Sequence, residues 1–210
     1  PFGQSGALAV SFAEMENYYQ VHGRAWERYA LVKARPITGS AADSAGLMRM
    51  LRPFVFRRYV DFGVIDSLRG MKRMLVAEVA RRGLDDNVKL GSGGIREIEF
   101  IAQCLQLIHG GRLPALQLRG LVPALQALAA HDLESPETVA QLTAAYRWLR
   151  DLEHALQGME DKQTQTLPED DLSRERLALI VGEVSWDQLM ATLDGHRSRV
   201  AHHFDALISP

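Results

Sequence analysis

One cysteine, Cys104, stands in 210 residues, so no internal disulfide and no cysteine-based zinc site can form. It lies in an apolar stretch, which gives no reason to read it as a nucleophile. Lysine is scarce too: of 24 basic residues four are lysine and 20 arginine. Neither sign of charge dominates, since 24 basic against 26 acidic side chains give −2, and no strong overall pull toward nucleic acid or an anionic membrane is expected. No apolar run approaches the roughly 18 residues of a transmembrane helix. The opening Pro1-Phe2-Gly3-Gln4-Ser5-Gly6 lacks the basic and apolar regions of a signal peptide. No internal repeat, low-complexity stretch, His/Glu zinc spacing or Gly-x-Ser-x-Gly elbow is present. These absences point to a reducing, cytoplasmic setting without nucleic-acid or membrane partners.

What is present is ordinary globular material, 47% hydrophobic and 24% charged, long enough to bury a core. The charge is uneven along the chain. Residues 49–96 hold 11 basic and 5 acidic side chains, a local +6, whereas residues 131–194 hold 5 and 14, a local −9. The first stretch could meet an anion and the second would repel one.

The periodicity is helical almost throughout. Residues 7–12 read as the tail of a strand leaving a Gly-rich turn, with its sheet outside this sequence. Short helices are expected over 13–22 and 24–35, split by Gly23 and closed by Pro36, then a small-residue loop over 37–46. Helix follows, with a break near Arg52-Pro53. Further helices are expected over 61–82 with Gly83 as C-cap, 94–109 ended by Gly110-Gly111, and 120–131. A bundle-type seam over about 138–161 carries Leu142, Ala145, Leu149, Leu152, Leu156 and Met159. Two last helices run over roughly 173–182 and 186–207, after a loop around Pro168. The fold class is therefore all-α, a helical bundle.

Three segments could carry chemistry. Lys89-Leu90-Gly91-Ser92-Gly93-Gly94-Ile95-Arg96 opens directly into a helix, whose free N–H groups and dipole would accept an anion between Lys89 and Arg96. The alternative is a Gly-rich turn with Ser92 as N-cap. On the helix that follows, Arg96, Glu99, Gln103 and Gln106 form one polar stripe on an otherwise apolar cylinder. That stripe either faces a site or is an internal network with Arg96 paired to Glu99. Lys33 and Arg35 end another helix, where one could reach a phosphate or both could simply complement the dipole.

The order of several motifs resembles a known family. They are Pro1-Phe2-Gly3-Gln4-Ser5-Gly6; Trp26-Glu27-Arg28 with Lys33-Ala34-Arg35; Arg52-Pro53-Phe54-Val55-Phe56-Arg57-Arg58-Tyr59; Lys89-Leu90-Gly91 through Gly93-Gly94-Ile95-Arg96-Glu97-Ile98-Glu99-Phe100; and Gln163-Thr164-x-Thr166-Leu167-Pro168. Together they resemble the bifunctional glutamine synthetase adenylyltransferase/adenylyl-removing enzymes over essentially all 210 residues. That family has two similar halves, each a nucleotidyltransferase core followed by a helical domain. One half adenylylates a tyrosine of glutamine synthetase with ATP. The other removes the AMP by phosphorolysis and releases ADP, so the pair regulates nitrogen assimilation. Arg96-Glu97 after Gly-Gly-Ile resembles the adenylyl-removing, N-terminal half; the transferase half carries a Thr-Asp-like pair there.

The resemblance implies further expectations. Residues 1–36 would be the trailing edge of the core with connecting helices, and 37–210 the helical bundle. Mg2+ and adenine nucleotide would serve the full enzyme, the metal held by carboxylates upstream of Pro1. This chain would then contain no catalytic or metal residue and would be inert alone. Lys89, Gly91, Ser92, Gly93, Gly94, Arg96, Lys33 and Arg35 would be its candidate nucleotide or phosphate contacts. Glutamine synthetase and the PII signalling protein are the implied partners. A docking module for either is the alternative, which an exposed apolar patch on the Leu142-to-Met159 helix would favour. The helical part of the transferase half is a second alternative.

Overall fold

A computed structural model describes residues 9–59, 62–160 and 163–207, the side chains of residues 62 and 160 excepted. Among these, nine α-helices and one 3-10 turn account for the regular structure, and the all-α expectation holds. The helices are α1 (Phe12–Val21), α2 (Ala25–Leu31), α3 (Ala41–Val55), α4 (Phe62–Arg82), α5 (Ile95–His109), α6 (Leu121–Ala130), α7 (Pro136–Glu160), α8 (Asp171–Ile180) and α9 (Trp186–Ala206). No helix is long and apolar enough to cross a membrane among the described residues.

Local chemistry sets most of the ends. Ser11 caps α1 through a reciprocal box with Glu14. Ser40, Asp170 and Ser185 cap α3, α8 and α9 by accepting from backbone N–H groups of the first turn. Gly83 follows α4 at φ +59, a conformation glycine adopts freely.

The apolar helix α5 sits at the centre, packed on α6, α7 and α9, while α7 also packs on α8 and α9. Phe100 of α5 stacks edge-on to Phe204 of α9, with centroids 5.6 Å apart. Leu142, Leu149 and Leu152 of α7 meet Leu189, Leu193 and Val200 of α9 in the same fully buried cluster. The N-terminal helices join through α2, which packs on α3, α4 and α5.

Four sequence expectations need correction. The helix expected over 24–35 ends at Leu31, so Lys33 and Arg35 lie beyond α2 and not in its last turn. The strand tail fails where it can be examined: Ser11 is a helix cap and Phe12 opens α1, while residues 7 and 8 lie outside the described residues. The loop over 37–46 ends at Ser40, because Ser40 caps a helix that starts at Ala41. The break at Arg52-Pro53 does not occur; Pro53 lies inside α3, three residues before the C-cap Phe56. Pro disfavours the helix there, but Leu51, Phe54 and Val55 are buried, and the Phe54 ring stacks on Tyr19 at 4.6 Å. Burial of three apolar side chains outweighs the lost hydrogen bond. Not foreseen were the 3-10 turn Pro114–Leu116 and an antiparallel bridge between Asn87 and Thr166.

Candidate functional site

The turn between α4 and α5 is fixed from four directions. Asn87 Oδ1 accepts from the N–H of Lys89 and of Leu90, at 3.1 and 2.8 Å. The segment 165–167 straps it from outside, Val88 N donating to Gln165 O and Leu167 N to Asp86 O. Arg197 of α9 donates to the carbonyls of Asp85 and Asn87 at 2.7 and 2.9 Å. Glu97 reaches back to accept from Gly93 N at 2.9 Å.

This architecture removes the reason for expecting an anion on the turn's backbone. The N–H groups of Gly91 and Gly94 donate to Asn87 O and Gly91 O, and those of Ile95, Arg96 and Glu97 to Val88 O, Lys89 O and Gly94 O. Ser92 is exposed and does not cap α5; Gly94 is the N-cap, without a side-chain bond. The glycines answer to packing instead. Gly93 has φ +68, and a Cβ there would lie 2.3 Å from Arg197 O. At Gly91 it would lie 2.6 Å from Asn87 O.

The side chains behave differently from the backbone. Arg96 does not pair with Glu99; Glu99 binds Lys33 of the α2 end at 2.5 Å. Arg96 is exposed and makes no ion pair among the described residues, and the same is true of Arg35. The polar stripe divides along its length. Gln103 and Gln106 are buried, and Gln106 Nε2 donates to the carbonyls of Leu116 and Leu118, holding the 3-10 turn. Only its N-terminal half, Arg96 and Glu99, faces outward.

Lys89 points to α7. Its Nζ lies 3.4 Å from Glu153 Oε1, while Arg150 Nη1 binds Glu153 Oε2. The Arg150 Nη2 also donates to His154 Nε2 at 3.2 Å. Tyr146 joins this group to the first: burial pushes its hydroxyl up, and the charges of Arg150, Glu99 and Glu153 all act on it. Tyr29, mainly through burial, is also pushed up, with Glu99 and Arg96 in electrostatic reach. The Lys33–Glu99 pair and the Lys89–Glu153–Arg150 group thus lie on either side of Tyr146, along the face where α5 packs on α2 and on α7, and Arg96 is exposed on the first turn of α5. Such a region can hold an anion.

Sequence reasoning missed Arg150 and Tyr146 as site residues. The signal was their spacing with Glu153 at i, i+4 and i+7, a polar edge running one residue behind the Leu142-to-Met159 seam. The seam itself is internal: Leu142, Ala145, Leu149, Leu152 and Leu156 are all buried. It therefore offers no exposed apolar patch for docking.

The carboxylates do not fit a magnesium site. Glu99 and Glu153 are each neutralised by cations, and no group of three or more His, Cys, Asp or Glu side chains suited to a metal occurs among the described residues. Cys104 is buried in α5, and that burial pushes its thiol up, away from thiolate chemistry.

Two family models match the chain in succession. Residues 1–50 match glutamate-ammonia ligase adenylyltransferase, glutamate-ammonia ligase being glutamine synthetase. Residues 69–208, most of the chain and all of α5 to α9, match GlnD PII-uridylyltransferase. Both models describe nucleotidyltransferases. The chain belongs to the family of that longer match, within the nucleotidyltransferase class, and its first 50 residues are similar to a glutamine synthetase adenylyltransferase.

Proposed function

We propose that this chain is the helical part of the deadenylylating half of a glutamine synthetase adenylyltransferase/adenylyl-removing enzyme, and that its cationic region forms one wall of the nucleotide cleft. In that reaction a phosphate oxygen attacks the adenylyl phosphorus, the bond to the tyrosine oxygen breaks, and ADP leaves. Both the attacking phosphate and the adenylyl group are anionic, so converging cations lower the cost of bringing them together. The observation that supports the reading is that Lys33 pairs with Glu99, and Lys89 and Arg150 both pair with Glu153, while Arg96 is exposed one turn before Glu99 on α5. The phosphate contacts are then side chains, with Lys89 and Arg96 foremost, and the Gly91–Gly94 turn sets their position. Magnesium would be held by carboxylates other than those described.

The test is Arg96→Ala in the enzyme half that joins this chain to a nucleotidyltransferase core. Loss of a charge-assisted contact worth about 1.5–3 kcal/mol lowers phosphate-dependent ADP release roughly 10- to 150-fold. Arg96 makes no ion pair among the described residues, so the melting temperature stays within a degree or two. A variant that melts early yet keeps full activity at low temperature overturns the reading. ATP-dependent adenylylation by the same half would assign it to the transferase side instead.

The docking reading for glutamine synthetase or the PII protein draws support from a different face. Trp26 and Met74 are 55% and 64% exposed and line a shallow groove with Ala25, Gly70, Met71 and Ala77, between α2 and α4. Substitution of Trp26 that weakens deadenylylation only when the PII protein is present would favour it.

A further inference from the structure

We infer that Arg150 is a phosphate-binding residue of the cationic region and that Glu153, buried beneath it, is the positioning residue that aims Arg150 and Lys89 outward. The inference rests on the anion-binding reading above and goes beyond the residues named there for contact. Glu153 is 1% exposed, and an ionised carboxylate at that depth is costly unless its oxygens are engaged. Each oxygen takes a different cation, Oε1 facing Lys89 and Oε2 facing Arg150. One cation would neutralise the charge; the second leaves a surplus positive charge at the surface. Both cationic side chains are 35% exposed, so their heads reach solvent while their acceptor stays inside.

The guanidinium geometry suits a phosphate. Arg150 has five N–H donors. One goes to Glu153 and one to His154, and the rest have no partner among the described residues. Bonds to Glu153 and His154 restrain the guanidinium, and its remaining N–H groups are left to donate to a phosphate, a group that guanidinium binds well. The Asn87 turn and the 165–167 strap fix the backbone of Lys89, and its ammonium faces Glu153 at 3.4 Å. A site ordered before its ligand arrives does not lose binding energy to ordering.

The experiment uses the 210-residue chain and inorganic pyrophosphate at constant ionic strength, with the arginine Nε–H signals followed by NMR. The Arg150 signal is expected to shift saturably, and Arg150→Gln to weaken binding at least about tenfold. Glu153→Gln is decisive for the second half of the inference. If Glu153 were only a counter-charge, its removal would tighten anion binding; as a positioning residue, its removal weakens binding several-fold. Should the Gln variant fail to fold, Glu153→Asp keeps the charge, withdraws it by one methylene, and is expected to weaken binding likewise. Binding that is unchanged or tighter in these variants overturns the positioning role. An Arg96 signal that shifts while Arg150 stays still overturns the Arg150 assignment and leaves the anion-binding reading in place. If neither shifts, both fall.

Discussion

Glu97 shows how one side chain can follow from its position. It is 8% exposed and holds the Gly93 amide. Burial raises its carboxyl from 4.5 to about 7; the Gly93 bond, Lys72 and Arg197 oppose the shift and Asp205 adds to it. A raised carboxyl favours folding most while it is protonated. Its contribution is full below about pH 4.5 and is lost as pH rises through about 7, to the extent of about 3 kcal/mol. Glu97→Gln keeps an acceptor for Gly93 N and carries no charge. Urea denaturation should therefore find the variant more stable than the parent at pH 8, with the advantage gone by pH 4.5. Equal stability at both pH values would show that Glu97 is not desolvated. The sequence made Glu97 part of a motif without saying what it bonds, because its partner is a backbone amide whose direction depends on Gly93 lying at positive φ.

The elements were legible where their signals are local. Caps, terminal glycines and apolar spacing place α4 to α9 within a few residues of the expected ends, since each signal acts within about one helical turn. The start of α5 was legible as a helix N-terminus but not as a satisfied one. Its amides find carbonyls within the 87–94 turn, which the strap at 165–167 holds in shape. Hydrogen exchange separates the two states of affairs. The amides of Ile95, Arg96 and Glu97 should exchange slowly, and added phosphate should leave them unchanged. Fast exchange that phosphate slows would mean the helix end is open to an anion after all.

Across the whole molecule, stability is concentrated where α5, α7 and α9 meet. Leu149 is 0% exposed, and Leu149→Ala should cost about 3 kcal/mol. Helix α4 is peripheral by comparison: no residue over 73–82 is buried, and Glu78 ion pairs with Arg81 and Arg82 support it locally. Met74→Ala should stay within about 0.5 kcal/mol of the parent. Chemical denaturation of the two variants side by side tests this layout, and similar losses at both positions would contradict it. The charge asymmetry has a structural sequel at this scale. Lys89, from the basic stretch, is placed against Glu153, from the acidic one, so the two halves of the chain partly neutralise each other while leaving a cationic surplus nearby.

Taken by itself, the sequence determined the helical class, most helix boundaries and the presence of a basic, glycine-rich turn before α5. Hydrophobic period, capping residues and glycines act over a few positions, so no knowledge of distant contacts is needed to read them. Only the tertiary structure decided that Pro53 stays within a helix, that the turn's amides are occupied, and that the polar stripe is half internal. It also decided the partners of charge. Glu99 has Arg96 three residues away but pairs with Lys33, 66 residues distant, because the packing of α2 on α5 brings that ammonium to the carboxylate. Side-chain reach is local to the fold, not to the chain, and electrostatic partners are chosen after the helices have packed.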